Sequence, residues 1–161
     1  MSAHNKPLPV VRVRPVRAED SEFIRLLRND QETRRQFVTP EVTVEEHTPW
    51  FAKLLAGGFP GRILTVVEDT AGALVGTVRS DVQPDNFHFV SYIVAPEARG
   101  KGFGAVMVRQ FIEQYLPNGQ VVLLIRKGNI ASEKIAEALG LKIFKEEPAK
   151  DPNDPPMREW R

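Results

Sequence analysis

The sequence contains no cysteine among its 161 residues. Disulfide bridges, cysteine-ligated zinc and catalytic thiolates are therefore excluded, and so is any acyl-enzyme formed on a thiol. A chain without cysteine suits a reducing compartment, and we expect the protein to be cytoplasmic.

A large net charge and long apolar runs are also missing. The 22 basic side chains nearly balance the 21 acidic ones, so the net charge is +1 and no overall positive field would attract nucleic acid or anionic lipid. No segment approaches the ~18 consecutive apolar residues of a membrane span. We therefore expect no nucleic-acid partner, no membrane partner and no metal.

The length suits one compact domain with a core of its own. We predict a flexible leader over residues 1–10, which contains His4 and no apolar run, and a single domain over residues 11–161. A homodimer is left open.

Hydrophobic periodicity predicts the order β-α-α-β-β-β-α-β-α-β-β. Asp20 is expected to cap the first helix, and Thr43 with Glu46 forms a capping box for the next, which continues to about Leu55. In the last helix, Asn129 is the expected cap and Ala131, Ile135 and Ala138 the buried face. Strands are predicted over residues 11–17, 62–68, 73–82, 87–94, 120–125, 141–146 and 157–160.

The sharpest local signal is a glycine-rich turn, Arg99-Gly-Lys-Gly-Phe-Gly104, between a strand and a helix. A helix start leaves N–H groups unpaired and carries partial positive charge, while glycines allow a ligand to approach the backbone closely. Such a turn is typical of an anion-binding site.

Two other interpretations of this turn remain open. It is compatible with a tight turn that binds nothing, and residues 100–105 also satisfy the dinucleotide pattern G-x-G-x-x-A. The dinucleotide pattern predicts an acidic residue after the next strand, where Arg126-Lys127 stands instead, and the remaining chain is too short for further βα units.

Arg99 to Gly104 also fit the signature R/Q-x-x-G-x-G/A, and Val94-Ala-Pro96 precedes them as the end of a strand. In these motifs, and in the order of elements over nearly the whole chain, the sequence resembles the GNAT superfamily of N-acetyltransferases. The resemblance implies a mixed α/β fold, with a mostly antiparallel twisted sheet of about seven strands, helices on both faces, and a splay between the fourth and fifth strands. It also implies acetyl-CoA as cosubstrate.

By the same resemblance, a set of residues is expected to hold acetyl-CoA. Backbone groups of the fourth strand would pair with the pantetheine arm, the glycine turn would bind the pyrophosphate, and the asparagine at the last helix would reach the pantetheine or simply cap the helix. These residues are Ile93, Val94, Arg99, Gly100, Lys101, Gly102, Phe103, Gly104 and Asn129.

Acetylation of an amine requires a base that removes a proton and an acid for the leaving thiolate. Many relatives carry the acid as a tyrosine at the position of Ala136, so that assignment fails here. Tyr92 and His88 lie four residues apart on one face of the fourth strand. We predict Tyr92 as the acid, or else a core aromatic, and His88 as the base, or else a surface residue, with Glu68 as a weaker candidate.

Residues 26–55 resemble a subgroup that acetylates UDP-linked 4-amino sugars, as in pseudaminic acid biosynthesis. The shared features are an R-N-x(4)-R signature and an E-H-x-x-W-F block. Arginines would grip a diphosphate and aromatic rings would stack on a base or sugar, whereas His47 is equally compatible with a core position. The implied substrate residues are Arg28, Asn29, Arg34, Phe37, His47 and Trp50.

The acceptor predicted from the sequence is thus a small-molecule amine, with a nucleotide sugar as one candidate. Acetylation of a peptide or protein N-terminus or of another small amine, and a non-catalytic acyl-CoA sensor, are the alternatives. An acidic groove would favour a polyamine.

Overall fold

The computed structural model describes residues 7–37 and 39–161. Most of the predicted leader, including His4, lies outside the described residues. The described part of the chain forms seven strands and five helices, in the order β1 (Arg12–Pro15), α1 (Ser21–Asn29), α2 (Gln31–Phe37), α3 (Val44–Leu55), β2 (Arg62–Glu68), β3 (Leu74–Val82), β4 (Phe87–Val94), α4 (Phe103–Tyr115), β5 (Gln120–Arg126), α5 (Ile130–Ala138), β6 (Ile143–Glu147) and β7 (Met157–Trp160).

The strands form one mixed sheet in the order β1-β2-β3-β4-β5-β7-β6. All neighbouring pairs are antiparallel except β4 and β5, which run parallel. The predicted fold class is therefore confirmed. β7 pairs with β6 as expected, and it also inserts between β6 and β5, which the sequence pattern did not indicate.

Helices cover the two faces of the sheet. On one face, Val67 and Val78 pack in the main core with Met107, Val108 and Phe111 of α4 and with Ile135 of α5. On the other face, Val66 packs with Ile24 of α1 and Phe51 of α3. We call these the α4 face and the α1 face. Alternation along each strand sends neighbouring side chains to opposite faces.

Three local predictions are corrected by the structure. Residues 31–37 form helix α2, because Asp30 accepts from the Thr33 N–H at 3.1 Å and caps its start. Asp20 makes no cap bond to α1 and instead pairs with Arg14. In α5 the buried residues are Ile135 and Ala136, whereas Ala131 and Ala138 are exposed.

The continuous apolar run over residues 121–125 predicts a strand buried on both faces, but Leu124 is 52% exposed. It lies on the α1 face, where no helix covers the β5 end of the sheet among the described residues. Among the same residues, no helix is both long and apolar enough to cross a membrane.

Candidate active site

The sheet opens between β4 and β5. Their pairing extends only from Phe87 with Gln120 to Phe89 with Val122, although β4 continues to Val94. Beyond Val122, β5 pairs on its other side with β7. A gap therefore begins after Phe89 and widens toward the glycine turn that follows β4.

The register of the β3–β4 hairpin determines which backbone groups face this gap. The N–H groups of Gln83 and Ala95 donate to Phe87 O and Val75 O on the opposite strands, at 2.8 and 2.7 Å. Because antiparallel residues alternate, the odd-numbered residues of β4 point their backbone groups at β3 and the even-numbered ones point away. Past the last β5 pair, the groups facing the gap are those of Tyr92 and Val94.

The backbone of Ile93, a predicted cofactor contact, is thus engaged with β3, where it pairs with Thr77. Val94 does face the gap, and its carbonyl accepts from Arg99 Nε at 3.2 Å. The backbone N–H of Tyr92 also faces the gap, and the sequence reasoning did not select it. The sequence signal for this is the Pro84-Asp85-Asn86 turn, because the turn sets the β3–β4 register and so decides which residues of β4 point their backbone groups at the gap.

The glycine turn presents a set of free donors. Gly100 and Gly102 adopt φ of 74° and 84°, the left-handed region that favours glycine. Among residues 7–37 and 39–161, no acceptor is hydrogen-bonded to the backbone N–H groups of Gly100, Lys101, Gly102, Phe103 or Gly104. These groups meet at the start of the 13-residue helix α4, so the turn can bind an anion such as a pyrophosphate.

The two cationic side chains of the turn have different environments. Arg99 donates to Asp30 Oδ2 at 2.6 Å, so its guanidinium ties the turn to the junction of α1 and α2 instead of extending to a phosphate. Lys101 is exposed. The backbone of Arg99 also differs from that of its neighbours, since its N–H donates weakly to Pro96 O at 3.4 Å.

Asn129 occupies the position of a helix cap. Its side chain accepts from Ser132 N–H at 3.4 Å and donates to Gln36 Oε1 at 3.3 Å. The cap is therefore confirmed, while the pantetheine contact stays a prediction.

Tyr92 reaches from β4 to α5. Its hydroxyl lies 2.6 Å from Ser132 Oγ, and its ring lies beside Gly104, where an added Cβ would be 3.3 Å from Tyr92 Cε2. Burial raises the pKa of Tyr92 above its ordinary value, and the bond to Ser132 offsets only part of that effect. The hydroxyl is therefore held in its protonated form at neutral pH. Ala136 lies one helical turn beyond Ser132 on the same side of α5.

His88 lies on the same face of β4 as Tyr92 but in the closed part of the sheet. It pairs with Val121, and its Cδ2 lies near Gly119, in the turn that follows α4. The structure thus places the two predicted catalytic residues at opposite ends of α4. The weaker candidate, Glu68, accepts from Arg14 Nε at the β1 edge of the sheet.

Two of the predicted substrate residues have structural partners. Asn29 makes two hydrogen bonds of 2.7 Å with the backbone N–H and C=O of Val42, which hold the segment before α3 against α1. His47 is 2% exposed, stacks on Phe51 and lies 3.2 Å from Ser21 Oγ. Burial, with the nearby Arg28, lowers the pKa of His47. Its position is that of the core histidine that the sequence left open.

Of the other four, two lie in contact with each other. Arg28 stacks on Trp50, with its guanidinium carbon 4.5 Å from the ring centroid. Arg34 donates to Thr39 O at 3.4 Å, and Phe37 is 46% exposed. The charges that act on Arg28 include those of Arg79, Arg62 and Glu46, and the grip of a diphosphate by Arg28 and Arg34 stays a prediction.

Comparison with known proteins decides the family. Residues 11–142 match the family described as "Acetyltransferase (GNAT) domain". The chain belongs to the GNAT acetyltransferases. No curated protein matches it by sequence.

Solved GNAT-like structures share its fold. The spermidine N-acetyltransferase from Vibrio cholerae in complex with CoA and spermine is similar with a TM-score of 0.83 and 18% identity, covering 93% of each chain. A domain from Methanocaldococcus jannaschii DSM 2661 has a TM-score of 0.75 and 18% identity, covering 94% of this chain and 97% of that one. At such identities the likeness concerns the fold alone.

This GNAT protein is therefore an acetyl-CoA-dependent N-acetyltransferase, and its own residues fit the cosubstrate. The free amides of the glycine turn suit a pyrophosphate, and the gap beside Tyr92 and Val94 offers backbone donors and acceptors along its wall. Within the described part of the chain, no cluster of three or more histidine, aspartate or glutamate side chains is arranged to hold a metal ion.

Proposed function

We propose that this GNAT protein transfers the acetyl group of acetyl-CoA directly to the amino group of a small molecule, in the gap between β4 and β5. One observation carries the proposal: the unpaired N–H groups of residues 100–104 adjoin the end of the sheet where β4 loses its partner. An anion held at the turn places a flexible arm of the same molecule along the open edge of β4.

The transfer requires a C–N bond to form and a C–S bond to break. The neutral amine attacks the thioester carbonyl, and the Tyr92 N–H, which faces the gap, is aimed at the oxyanion that develops. The Tyr92 hydroxyl donates its proton to the departing thiolate and is reprotonated from solvent. A raised pKa suits this role because the group enters each cycle protonated.

The amine must also lose a proton, since an alkylammonium ion has no free electron pair. His88 remains our proposed base. It lies four residues before Tyr92, about 13 Å along the strand at ~3.3 Å per residue. It would therefore act through a water chain.

Release of CoA provides the test. Because the chain contains no cysteine, a thiol reagent detects free CoA without a protein background. We expect acetyl-CoA to be consumed in the presence of some amines among UDP-linked amino sugars, simple amino sugars, amino acids, polyamines and peptides. Turnover of a peptide with failure of every small amine would contradict the proposal, as would calorimetry that detects no binding of acetyl-CoA.

The nucleotide-linked amino sugar indicated by residues 26–55 is one member of this class. Arg28 and Trp50 support it by lying in contact on the α1 face, although Asn29 and His47 serve the fold. A UDP-linked 4-amino sugar and the same sugar without the nucleotide form the matched pair that tests it. Equal kcat/KM for the two sugars would show that the protein does not recognise the nucleotide.

A further inference from the structure

The α1 face carries a group of cations built on two aromatic rings. Arg28 stacks on Trp50, and the Trp50 ring lies 6.2 Å from that of Phe59. Two further cations, Lys53 Nζ and the Arg62 guanidinium, lie 4.7 and 4.6 Å from the centroid of Phe59. These contacts form one continuous surface from α1 through α3 to β2.

The group extends across the sheet toward the gap. Arg62 donates to Asp81 Oδ1 and Arg79 donates to Asp81 Oδ2, both at 2.7 Å, so one carboxylate serves two guanidinium groups. We call Arg28, Lys53, Arg62 and Arg79, with Asp81, the cationic array. Arg79 pairs with Ser91 of β4 and so lies one strand away from the open edge of that strand.

The balance of charge in the array is uneven. The array holds four cations and one carboxylate, which pairs with Arg62 and Arg79, and Glu46 is an acid whose charge acts on Arg28. Among residues 7–37 and 39–161, no carboxylate forms an ion pair with Arg28, which is held half-buried over Trp50. Burial lowers the pKa of Arg28, and Arg79 and Arg62 lower it further. Gathering like charges costs free energy that a bound anion relieves.

We propose that the acceptor amine carries an acidic group, a phosphate or a carboxylate, and that the cationic array binds this group while the amine enters the gap from the α1 face. The inference rests on the proposed acetyl transfer and adds the class of acceptor. Acetyl-CoA is held from the helix α4 end of the gap, so donor and acceptor meet from different sides. A guanidinium group suits either anion through paired N–H donors.

The same array opposes a polyamine. A polyamine is a chain of ammonium groups, and like charges brought together in a partly desolvated site repel. A polyamine would be favoured by an acidic groove, whereas this part of the α1 face carries arginine and lysine side chains. Substrate choice in this chain is expected to differ from that of a polyamine acetyltransferase with the same fold.

Calorimetry on the CoA-saturated protein tests the array apart from catalysis. CoA occupies the glycine turn, so inorganic pyrophosphate added afterwards reports on a second anion site. We expect pyrophosphate to bind, spermidine not to bind, and Arg28→Gln to weaken pyrophosphate by about tenfold or more. The matched control is Arg35→Gln, an exposed arginine of α2 paired with Glu32, which should change nothing. Binding of spermidine, or pyrophosphate binding that ignores Arg28→Gln, would overturn the inference.

Transfer assays then identify the source of the anion. Glucosamine against glucosamine 6-phosphate tests a phosphate, and an amine against the amino acid of the same skeleton tests a carboxylate. We expect one acidic member to have at least about a tenfold higher kcat/KM, and Arg28→Gln to remove that preference through KM. Faster transfer to the neutral or polycationic amines would reject the inference while leaving acetyl transfer intact. Failure to bind acetyl-CoA would instead reject the proposed function.

Discussion

The hydroxyl groups of Tyr92 and Ser132 lie 2.6 Å apart and join β4 to α5 across the end of the sheet where the strands separate. Tyr92 contributes both its side-chain hydroxyl, on the α4 face, and its backbone N–H, in the plane of the gap. In the proposed transfer, this one residue would act on both the leaving group and the developing oxyanion.

Replacement of Tyr92 by phenylalanine removes the hydroxyl and keeps the backbone N–H and the ring. We expect kcat to fall by about a hundredfold, the scale of one general acid, with little change in the KM for acetyl-CoA. Steady-state kinetics measure both. Tyr115→Phe is the control, since Tyr115 is the second of the two tyrosines, is partly buried and stacks on Phe111 at the edge of the core. Equal kcat in the two variants would leave Tyr92 as a packing residue.

Ser132→Ala tests the environment of the hydroxyl. Burial raises the pKa of Tyr92 and the hydrogen bond with Ser132 lowers it, so removal of that bond should raise the pKa further. Ultraviolet titration of phenolate in a Tyr115→Phe background observes Tyr92 alone. A pKa that falls in Ser132→Ala would show that the hydroxyl pair is not formed in solution.

Gly102→Glu places a carboxylate where the pyrophosphate is expected. Calorimetry should show acetyl-CoA affinity reduced by about a hundredfold or more. The new carboxylate competes with the pyrophosphate for the backbone N–H donors and repels its negative charge. Gly72→Glu is the matched control, because Gly72 has φ of 83° and Gly102 has φ of 84°, so a glutamate is equally strained at either position. Gly72 lies in the β2–β3 turn. Unchanged affinity in a folded Gly102→Glu variant would reject the anion site.

Much of the fold follows from local signals. The caps at Thr43 and Asn129 set the starts of α3 and α5, and turn residues separate β2, β3 and β4 at the predicted places. These signals are predictable because each one depends on the chemistry of a few adjacent residues. The glycine turn is predictable for the same reason.

The environments of the candidate site residues depend instead on partners that are far away in the sequence. Asp20 follows the local pattern of a cap, yet it is 1% exposed and bound by Arg14 of β1. Arg99 is the expected phosphate ligand, but its partner Asp30 lies 69 residues earlier. The cationic array joins α1, α3, β2 and β3, and no periodicity in one segment indicates that these elements meet.

The pair Arg99–Asp30 is expected to hold the glycine turn in place. Burial raises the pKa of Asp30, but the hydrogen bond from Arg99 and those from Thr33 outweigh it and the pKa is lowered, so the carboxylate is charged at neutral pH. Asp30→Asn keeps a side chain that can cap α2 and removes the charge. We expect the KM for acetyl-CoA to rise by a few-fold, roughly the effect of one partly exposed pair.

A double-mutant cycle separates this coupling from independent effects. If the two side chains act together, the double variant should have nearly the same KM for acetyl-CoA as Asp30→Asn alone. The coupling free energy between the two substitutions should then be about 1 kcal/mol. Additive effects on the KM for acetyl-CoA would show that Arg99 acts on the turn without Asp30.

The ion pair of Arg14 and Asp20 is expected to stabilise the fold in a pH-dependent way. Two hydrogen bonds of 2.8 and 2.9 Å join the guanidinium to the carboxylate, and Glu68 is a second partner of Arg14. Burial raises the pKa of Asp20, but the bonds from Arg14 and from the Arg17 N–H outweigh it and lower the pKa. A carboxylate whose pKa is depressed in the folded state stabilises the protein above its unfolded pKa of about 3.9 and loses that effect as the pH falls through the folded pKa.

Asp20→Asn should therefore lower the free energy of unfolding at pH 7 by about 3 kcal/mol, near the low end for a broken buried pair because Glu68 remains beside Arg14. The difference between wild type and variant should begin to shrink below pH ~4, where the carboxylate of the unfolded chain becomes protonated, and should be lost as the pH falls through the lower pKa of the folded state. Urea denaturation at a series of pH values measures it. The control Glu32→Gln breaks an exposed pair with Arg35 and should cost less than about 1 kcal/mol. A difference for Asp20→Asn that stays constant from pH 7 to pH 3 would mean that the lost stability comes from packing and not from the charge of Asp20.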